Sequence, residues 1–211
     1  MNWKQIPVGP LQENAYVIWH HENGEALIVD PGSEGQRIIQ TIRELQANPK
    51  AILLTHAHFD HIGAVDDVRD EFDIPVYIHE KEQHWLENPD LNGSARFPLG
   101  RITARKADEI ISNEQTLTVG SFQIEVFETP GHSPGSISYY FNDGNVVFSG
   151  DALFQGSIGR TDIPFGDYNQ LIQSIHDKLL TLPEETIVCP GHGPETTIAN
   201  EMNANPFLTG F

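Results

Sequence analysis

Apolar positions along this chain fall into short β-like runs and a few helical stripes, and the two alternate. Ala15-Tyr16-Val17-Ile18-Trp19 and Ala26-Leu27-Ile28-Val29 read as strands, the second stopped by Asp30-Pro31-Gly32. From about Glu34 to Gln46 the period becomes helical, with Ile38, Ile39, Ile42 and Leu45 on one face, and Ala51-Ile52-Leu53-Leu54 follows as a strand. The spacing predicts a second helix from His61 that carries Val65, Val68 and Phe72 inward, a strand Val76-Tyr77-Ile78 and a short helix near Lys81 to Leu86. Between Glu87 and Ala107, Asn, Pro and Gly break the pattern, which predicts a surface loop.

The second half repeats this logic. Strands are predicted at Gln115 to Thr118, Phe122 to Glu128, Ile137 to Phe141 and Val146 to Phe148, then a helix from Tyr168 to Leu180, a strand from Thr186 to Val188 and a final helix from Glu195 to Asn203. Two β-rich halves, each flanked by helices, predict a layered sandwich of the α/β (α+β) class. No low-complexity linker separates them, so one domain over residues 1–211 is expected.

Composition narrows the function classes. A chain of 211 residues with 38% hydrophobic content can bury a full core. Its 12 Lys and Arg against 30 Asp and Glu give a formal charge of -18, which repels phosphate backbones and anionic headgroups; neither nucleic acid nor a membrane is an expected partner. No apolar stretch approaches the roughly 20 residues that span a bilayer. Cys189 is the single cysteine, so no internal disulfide forms, and Met1-Asn2-Trp3-Lys4-Gln5-Ile6-Pro7 lacks the apolar core of a secretory signal; the expected compartment is the cytoplasm. The sequence is silent on oligomeric state.

The chemistry concentrates after the strand at 51–54, where Thr55-His56-Ala57-His58-Phe59-Asp60-His61-Ile62 packs three histidines and a carboxylate into six positions. Imidazoles gain little by crowding unless a shared positive charge replaces the lost water, and imidazole with carboxylate is the donor set of zinc and its neighbours. Further along, His132 in Thr129-Pro130-Gly131-His132, Asp151 in Ser149-Gly150-Asp151 and His192 in Pro190-Gly191-His192-Gly193 each follow a predicted strand beside glycine. Five histidines and two aspartates exceed one four-coordinate ion and suit two, with a bridging carboxylate. His56, His58 and His132 are assigned to one ion, Asp60, His61 and His192 to the other, and Asp151 to the bridge. His20, His21, His79, His84 and His176 fall outside this constellation and are expected on the surface.

The ordered set His56-x-His58-x-Asp60-His61, His132, Asp151, His192 resembles the metallo-β-lactamase superfamily and, within it, the short bacterial glyoxalase II type. The likeness runs from Asn14 and Asp30-Pro31-Gly32 to Asn205-Pro206-Phe207-Leu208. It implies a four-layer αββα sandwich and hydrolysis of a thioester such as S-D-lactoylglutathione. A hydroxide bridging two divalent ions would attack the carbonyl, with Asp60 orienting it; zinc is the expected metal, and iron or manganese also suit these donors. The small-molecule thioester is then the expected partner. The alternative within the same fold is a persulfide dioxygenase with one Fe(II) on residues matching His56, His132 and Asp151, a family similar around Gly159-Arg160-Thr161-Asp162.

Other readings are weaker. Gly131-His132-Ser133-Pro134-Gly135 fits a nucleophile-elbow pattern, but a strand, not a helix, is predicted after it. Cys189 ends an apolar strand and reads as a small buried residue. Secreted zinc β-lactamases of the commonest classes usually carry Arg where His61 stands and Cys where Asp151 stands. A purely structural metal site is usually a closed, Cys-rich tetrahedron.

Asp30 is a candidate to hydrogen-bond a ligand histidine, or simply to form a turn. Arg160 is a candidate for a substrate carboxylate or for an ion pair with Asp162. Arg96, Arg101, Arg105 and Lys106 form a basic island whose role is charge balance or anion capture. Long glyoxalase II proteins add a basic helical domain that holds glutathione. Only 19 residues follow His192 here, with no Lys or Arg among them, so the thiol carrier is open.

Overall fold

The computed structural model describes residues 1–208. The described chain divides into two compact units, residues 1–112 with 119–121, and residues 113–118 with 122–208. Each is built on one six-stranded mixed sheet with its own helices.

In the first unit the sheet order follows the sequence: β1 (Asn2–Val8), β2 (Glu13–Trp19), β3 (Glu25–Val29), β4 (Asn48–Leu53), β5 (Val76–His79) and β6 (Glu109–Ile111). β1, β2 and β3 pair antiparallel, whereas β3, β4, β5 and β6 run parallel. Helix α1 (Gly35–Glu44) makes the β3–β4 crossover and buries Ile38, Ile39 and Ile42, the face its periodicity predicts. Removing each such side chain from water contributes about 1.5–3 kcal/mol. β1 carries no prediction because Pro7 interrupts it; the strand forms because it lies at the sheet edge, where a missing N–H costs no ladder bond. β6 is only 3 residues long, too short for any periodicity to register.

The helix expected from His61 to Phe72 is two pieces, α2 (Phe59–Ile62) and α3 (Val65–Phe72). At the break the Ala64 N–H donates to the Pro31 carbonyl at 2.9 Å, and a Cβ on Gly63 would lie 2.5 Å from the Gly32 carbonyl oxygen. Packing against the loop after β3 therefore overrides helix continuity. The short helix near Lys81 is a single 3-10 turn, Glu80–Glu82, capped by the side chain of His79. His21 and His84 are exposed as expected, but His79 is buried at 1% exposure: it ends a central strand.

The second unit's sheet runs β14-β13-β10-β9-β8-β7, built from β7 (Gln115–Val119), β8 (Phe122–Glu128), β9 (Ile137–Phe141), β10 (Val146–Gly150), β13 (Ile187–Pro190) and β14 (Thr196–Thr197). A separate hairpin, β11 (Leu153–Phe154) with β12 (Ser157–Ile158), follows β10. Helix α4 (Tyr168–Asp177), N-capped by Asp167, buries Leu171, Ile172 and Ile175. The last helix, α5 (Ile198–Ala204), starts later than expected because Thr196 and Thr197 pair with β13 as a strand and Thr197 then caps the helix.

Strand direction places the candidate residues. β3, β4 and β5 are parallel neighbours, so Asp30, the 54–58 loop and the turn holding Glu82 all leave the same carboxyl edge. In the other unit β8 and β10 both oppose β9, and β13 runs parallel to β10, so His132, Asp151 and His192 also follow one edge. Among the described residues, no helix is long and apolar enough to cross a membrane.

Gly131 shows how tightly that edge is built. Its φ is +132°, and a Cβ there would sit 2.3 Å from the backbone nitrogen of Leu171 in α4. Gly156 also has a positive φ, +63°, but nothing lies within 4 Å of its missing Cβ. In urea titrations Gly131→Ala should lose about 3 kcal/mol or more, combining backbone strain with overpacking, whereas Gly156→Ala should lose about 1 kcal/mol. Equal losses would show that the contact with α4 is not the constraint.

Candidate metal centre

Four of the expected donors, His56, His58, Asp60 and His61, stand in the first unit, organised by Asp30. Asp30 follows β3 with φ 45°, a left-handed conformation rare outside glycine, and is 1% exposed. Its Oδ1 accepts the Thr55 N–H at 2.7 Å, and its Oδ2 accepts both the Thr55 hydroxyl and the His61 Nδ1–H, the latter at 2.9 Å. Because the hydroxyl's one proton goes to Asp30, Thr55 Oγ1 faces His56 Nδ1, at 3.0 Å, as an acceptor. Both imidazoles are thus protonated on Nδ1 and carry their lone pair on Nε2, the form a metal ligand requires.

The donors are close together. The His56 ring centroid is 4.8 Å from that of His58 and 4.1 Å from that of His61, and Asp60 Oδ2 is 3.9 Å from His61 Nε2. His56 and His61 are fully buried, while His58 and Asp60 are partly exposed. Two further acids lie in this region without any sequence signal. Glu82 is fully buried and accepts the N–H of Ala57, between the first two histidines, at 2.7 Å; Glu13, 1% exposed, brings Oε1 to 3.6 Å from His61 Nδ1. Concentrating buried carboxylates around a cluster of imidazoles is costly unless positive charge is shared among them, so the site chemistry fits divalent cations.

The other three donors form a second group. Asp151 Oδ2 lies 3.5 Å from His132 Nε2 and 3.7 Å from His192 Nε2. Two ligands on one tetrahedral ion, each about 2.1 Å from it, are about 3.4 Å apart, so one carboxylate oxygen is spaced to share an ion with each histidine. His132 Nδ1–H donates to the Arg160 carbonyl at 2.8 Å, which again leaves Nε2 as the lone-pair nitrogen. His192 meets the edge of Phe154, ring centroids 6.1 Å apart, on the β11–β12 hairpin. Glu201, buried in α5, clips that hairpin by accepting the Gly156 N–H at 2.8 Å while also accepting from Thr196 and Asn205. On a helix, its sequence context reads as solvent-facing.

Several candidates resolve differently. The Arg160 guanidinium makes two hydrogen bonds to Asp162, at 2.9 and 3.0 Å, and lowers that carboxyl's pKa; both side chains are exposed, and only the Arg160 carbonyl reaches a candidate ligand. Ser133 bonds the Ser136 hydroxyl at 2.7 Å, and strand β9 follows, so no nucleophile elbow exists. Burial, with Glu195 nearby adding to it, pushes the Cys189 thiol well above its ordinary pKa, which disfavours the thiolate.

Two outcomes follow from this geometry. Asp30→Asn would present an amide N–H towards His61 and Thr55 and spoil the tautomers, so zinc affinity by chelator competition should fall roughly 10–100-fold with the apo circular dichroism unchanged; unaltered affinity would remove Asp30 from the design. Cys189 should resist a thiol reagent at pH 8 in the native protein and react fully in denaturant, because raising the pH to that value still leaves a pKa-elevated thiol protonated.

Comparison with known proteins identifies the family of this chain. The family model described as the metallo-beta-lactamase superfamily matches residues 8–192. Over 211 residues, 100% of this chain and 99% of the relative, the sequence is 54% identical to the protein named probable metallo-hydrolase YqgX of Bacillus subtilis. It is 42% identical over 209 residues, 99% of this chain and 98% of the relative, to hydroxyacylglutathione hydrolase GloC of Haemophilus influenzae. A solved structure of BLEG-1 B3 metallo-beta-lactamase superposes with a TM-score of 0.96 at 59% identity, covering 99% of this chain and 100% of that one. TTHA1623 in a di-iron-bound form gives a TM-score of 0.83 at 41% identity, covering 97% and 100%. The fold expected from the sequence is the fold of these structures, and the chain belongs to the metallo-β-lactamase superfamily.

Proposed function

We propose that this protein is a metal-dependent thioester hydrolase of the glyoxalase II type, and that His56, His58, Asp60, His61, His132, Asp151 and His192 hold its two divalent ions. The observation that carries the metal reading is the set of imidazoles presented through Nε2, with Asp151 Oδ2 spaced between two of them. The di-iron form of TTHA1623 supports two ions, and the name of GloC, which matches nearly the whole chain, supports thioester hydrolysis. When bound, such ions lower the pKa of water from 15.7 to about 7 and polarise a carbonyl oxygen.

The chain's own residues supply the rest. Asp30 and the Arg160 carbonyl keep three imidazoles in the ligating tautomer. Asp60, partly exposed beside His61, accepts a proton from the attacking water or orients it. A thiol pKa near 8.5 makes the leaving group competent without a general acid. The absence of thiolate from the donor set accommodates zinc, iron and manganese alike.

The 59% identity to BLEG-1 supports a second reading, hydrolysis of a β-lactam amide at the same donors. Elemental analysis with a panel of S-D-lactoylglutathione, a cephalosporin and a persulfide on an oxygen electrode separates these. The expected result is close to two metals per chain and thiol release, abolished by chelation and restored by added zinc or iron. Ring opening of the cephalosporin without thiol release would replace this reading with the second one, and oxygen uptake with a single iron would replace it with a dioxygenase.

A further inference from the structure

The irregular segment between β5 and β6 is tied at its base and open at its tip. Asn92, fully buried, donates from Nδ2 to the carbonyls of Ile102 and Trp85 at 2.9 and 3.2 Å and accepts the Ser94 N–H at 3.0 Å; Ser94 Oγ accepts the Ile102 N–H at 3.1 Å. Those bonds close a loop whose residues 95–101 are all exposed. The loop also reaches the candidate site. The Asn92 carbonyl accepts the Phe59 N–H at 3.1 Å, and the Phe97 ring packs on Phe59 with centroids 4.7 Å apart. Phe59 directly precedes Asp60, and a cavity of about 40 Å³ is lined by Pro10, Leu11, Phe59, Asp60, Leu99 and Ile102.

Charge pairing singles out the tip. Arg37, Arg43, Arg69, Arg105 and Arg160 are all in ion pairs, with Glu34, Glu71, Asp108, Asp70 and Asp162. Arg96 and Arg101, the two remaining arginines, make no ion pair or side-chain hydrogen bond among the described residues, although acids outnumber bases 30 to 12. The basic island therefore splits. Arg105 is committed to α3 through Asp66 and Asp70, and the Lys106 carbonyl is held by Arg69. Only Arg96 and Arg101 stand on the tip, on either side of exposed Phe97 and Leu99.

We propose that Arg96 and Arg101 capture the anionic end of the thiol carrier in the substrate, with Phe97 and Leu99 packing against its apolar stem; this rests on the thioesterase reading. Two guanidinium forks recognise carboxylate or phosphate bidentately, and in a strongly acidic protein they are the local attraction an anionic substrate needs. The substrate class is a thioester on an acidic carrier. Carboxylate and phosphate carriers offer the same chemistry to the two arginines.

Calorimetry on the metal-loaded protein with two non-hydrolysable thioethers, S-methylglutathione for carboxylates and S-methyl-coenzyme A for phosphates, tests the clamp without turnover. In the double variant Arg96→Gln/Arg101→Gln, Kd for one of them should rise about tenfold, while Arg105→Gln leaves it unchanged. The thioether affected identifies the carrier's acid. In kinetics the same double variant should raise KM for the matching lactoyl thioester about tenfold with kcat retained, and leave S-lactoyl-2-mercaptoethanol, which is uncharged, unaffected. Failure of wild type to bind either thioether, an unchanged Kd in the double variant, or equal losses on charged and uncharged thioesters overturns the proposal. Intact, arginine-dependent binding without thiol release from any thioester would instead sink the thioesterase reading and leave the clamp standing.

Discussion

A buried carboxylate that accepts from a backbone amide, a hydroxyl and an imidazole is the interaction on which the first unit's chemistry depends. Asp30 receives the Thr55 N–H, the Thr55 hydroxyl and the His61 Nδ1–H, and through Thr55 it sets His56 as well. Such a group would be expensive to bury alone, and it is held in a left-handed backbone that only dense local bonding sustains. What the arrangement achieves is orientation: two rings that would otherwise rotate and tautomerise are locked with Nε2 outward. His132 is treated the same way by a carbonyl instead of a carboxylate, so the principle is common to both units though the partner differs.

Strand direction is the second constraint. Parallel neighbours bring the ends of sequence-distant segments to one edge, which is how Asp30, the histidine loop and Glu82 come together although they are spread over some fifty residues. In the second unit the same result comes from alternate strands around β9. Polar side chains at that edge need not cross the apolar cores formed by the sheets and helices, so core packing and site chemistry are separated along each strand.

Buried acids show the limit of reading chemistry from a linear chain. Glu13, Glu82 and Glu201 are each at most 2% exposed, and each approaches a candidate ligand, bonds the loop that carries one or fixes a hairpin that packs against one, yet nothing in their neighbours distinguishes them from the acids that give the chain its charge of -18. The arginines show the converse: seven look alike in sequence, and only their partners separate five in ion pairs from two that face solvent. Arg160 and Asp162, candidates for substrate contact, satisfy each other.

The sequence by itself pointed to a layered α/β sandwich, because periodicity is local, and to the fold family and a candidate donor list, because the spacing His56-x-His58-x-Asp60-His61 with glycine-flanked His132, Asp151 and His192 resembles that family. It also placed most strands, the buried face of α1 and the start of α4. The edge strands β1 and β6, the break at Gly63 and the late start of α5 were decided by tertiary packing, since each depends on pairing with another strand or on a close backbone approach. Tautomers, ion-pair partners and the burial of His79 and Glu82 belong to the same class. A hydrogen bond between Asp30 and His61 is a relation between two segments, and only the folded chain holds both ends of it.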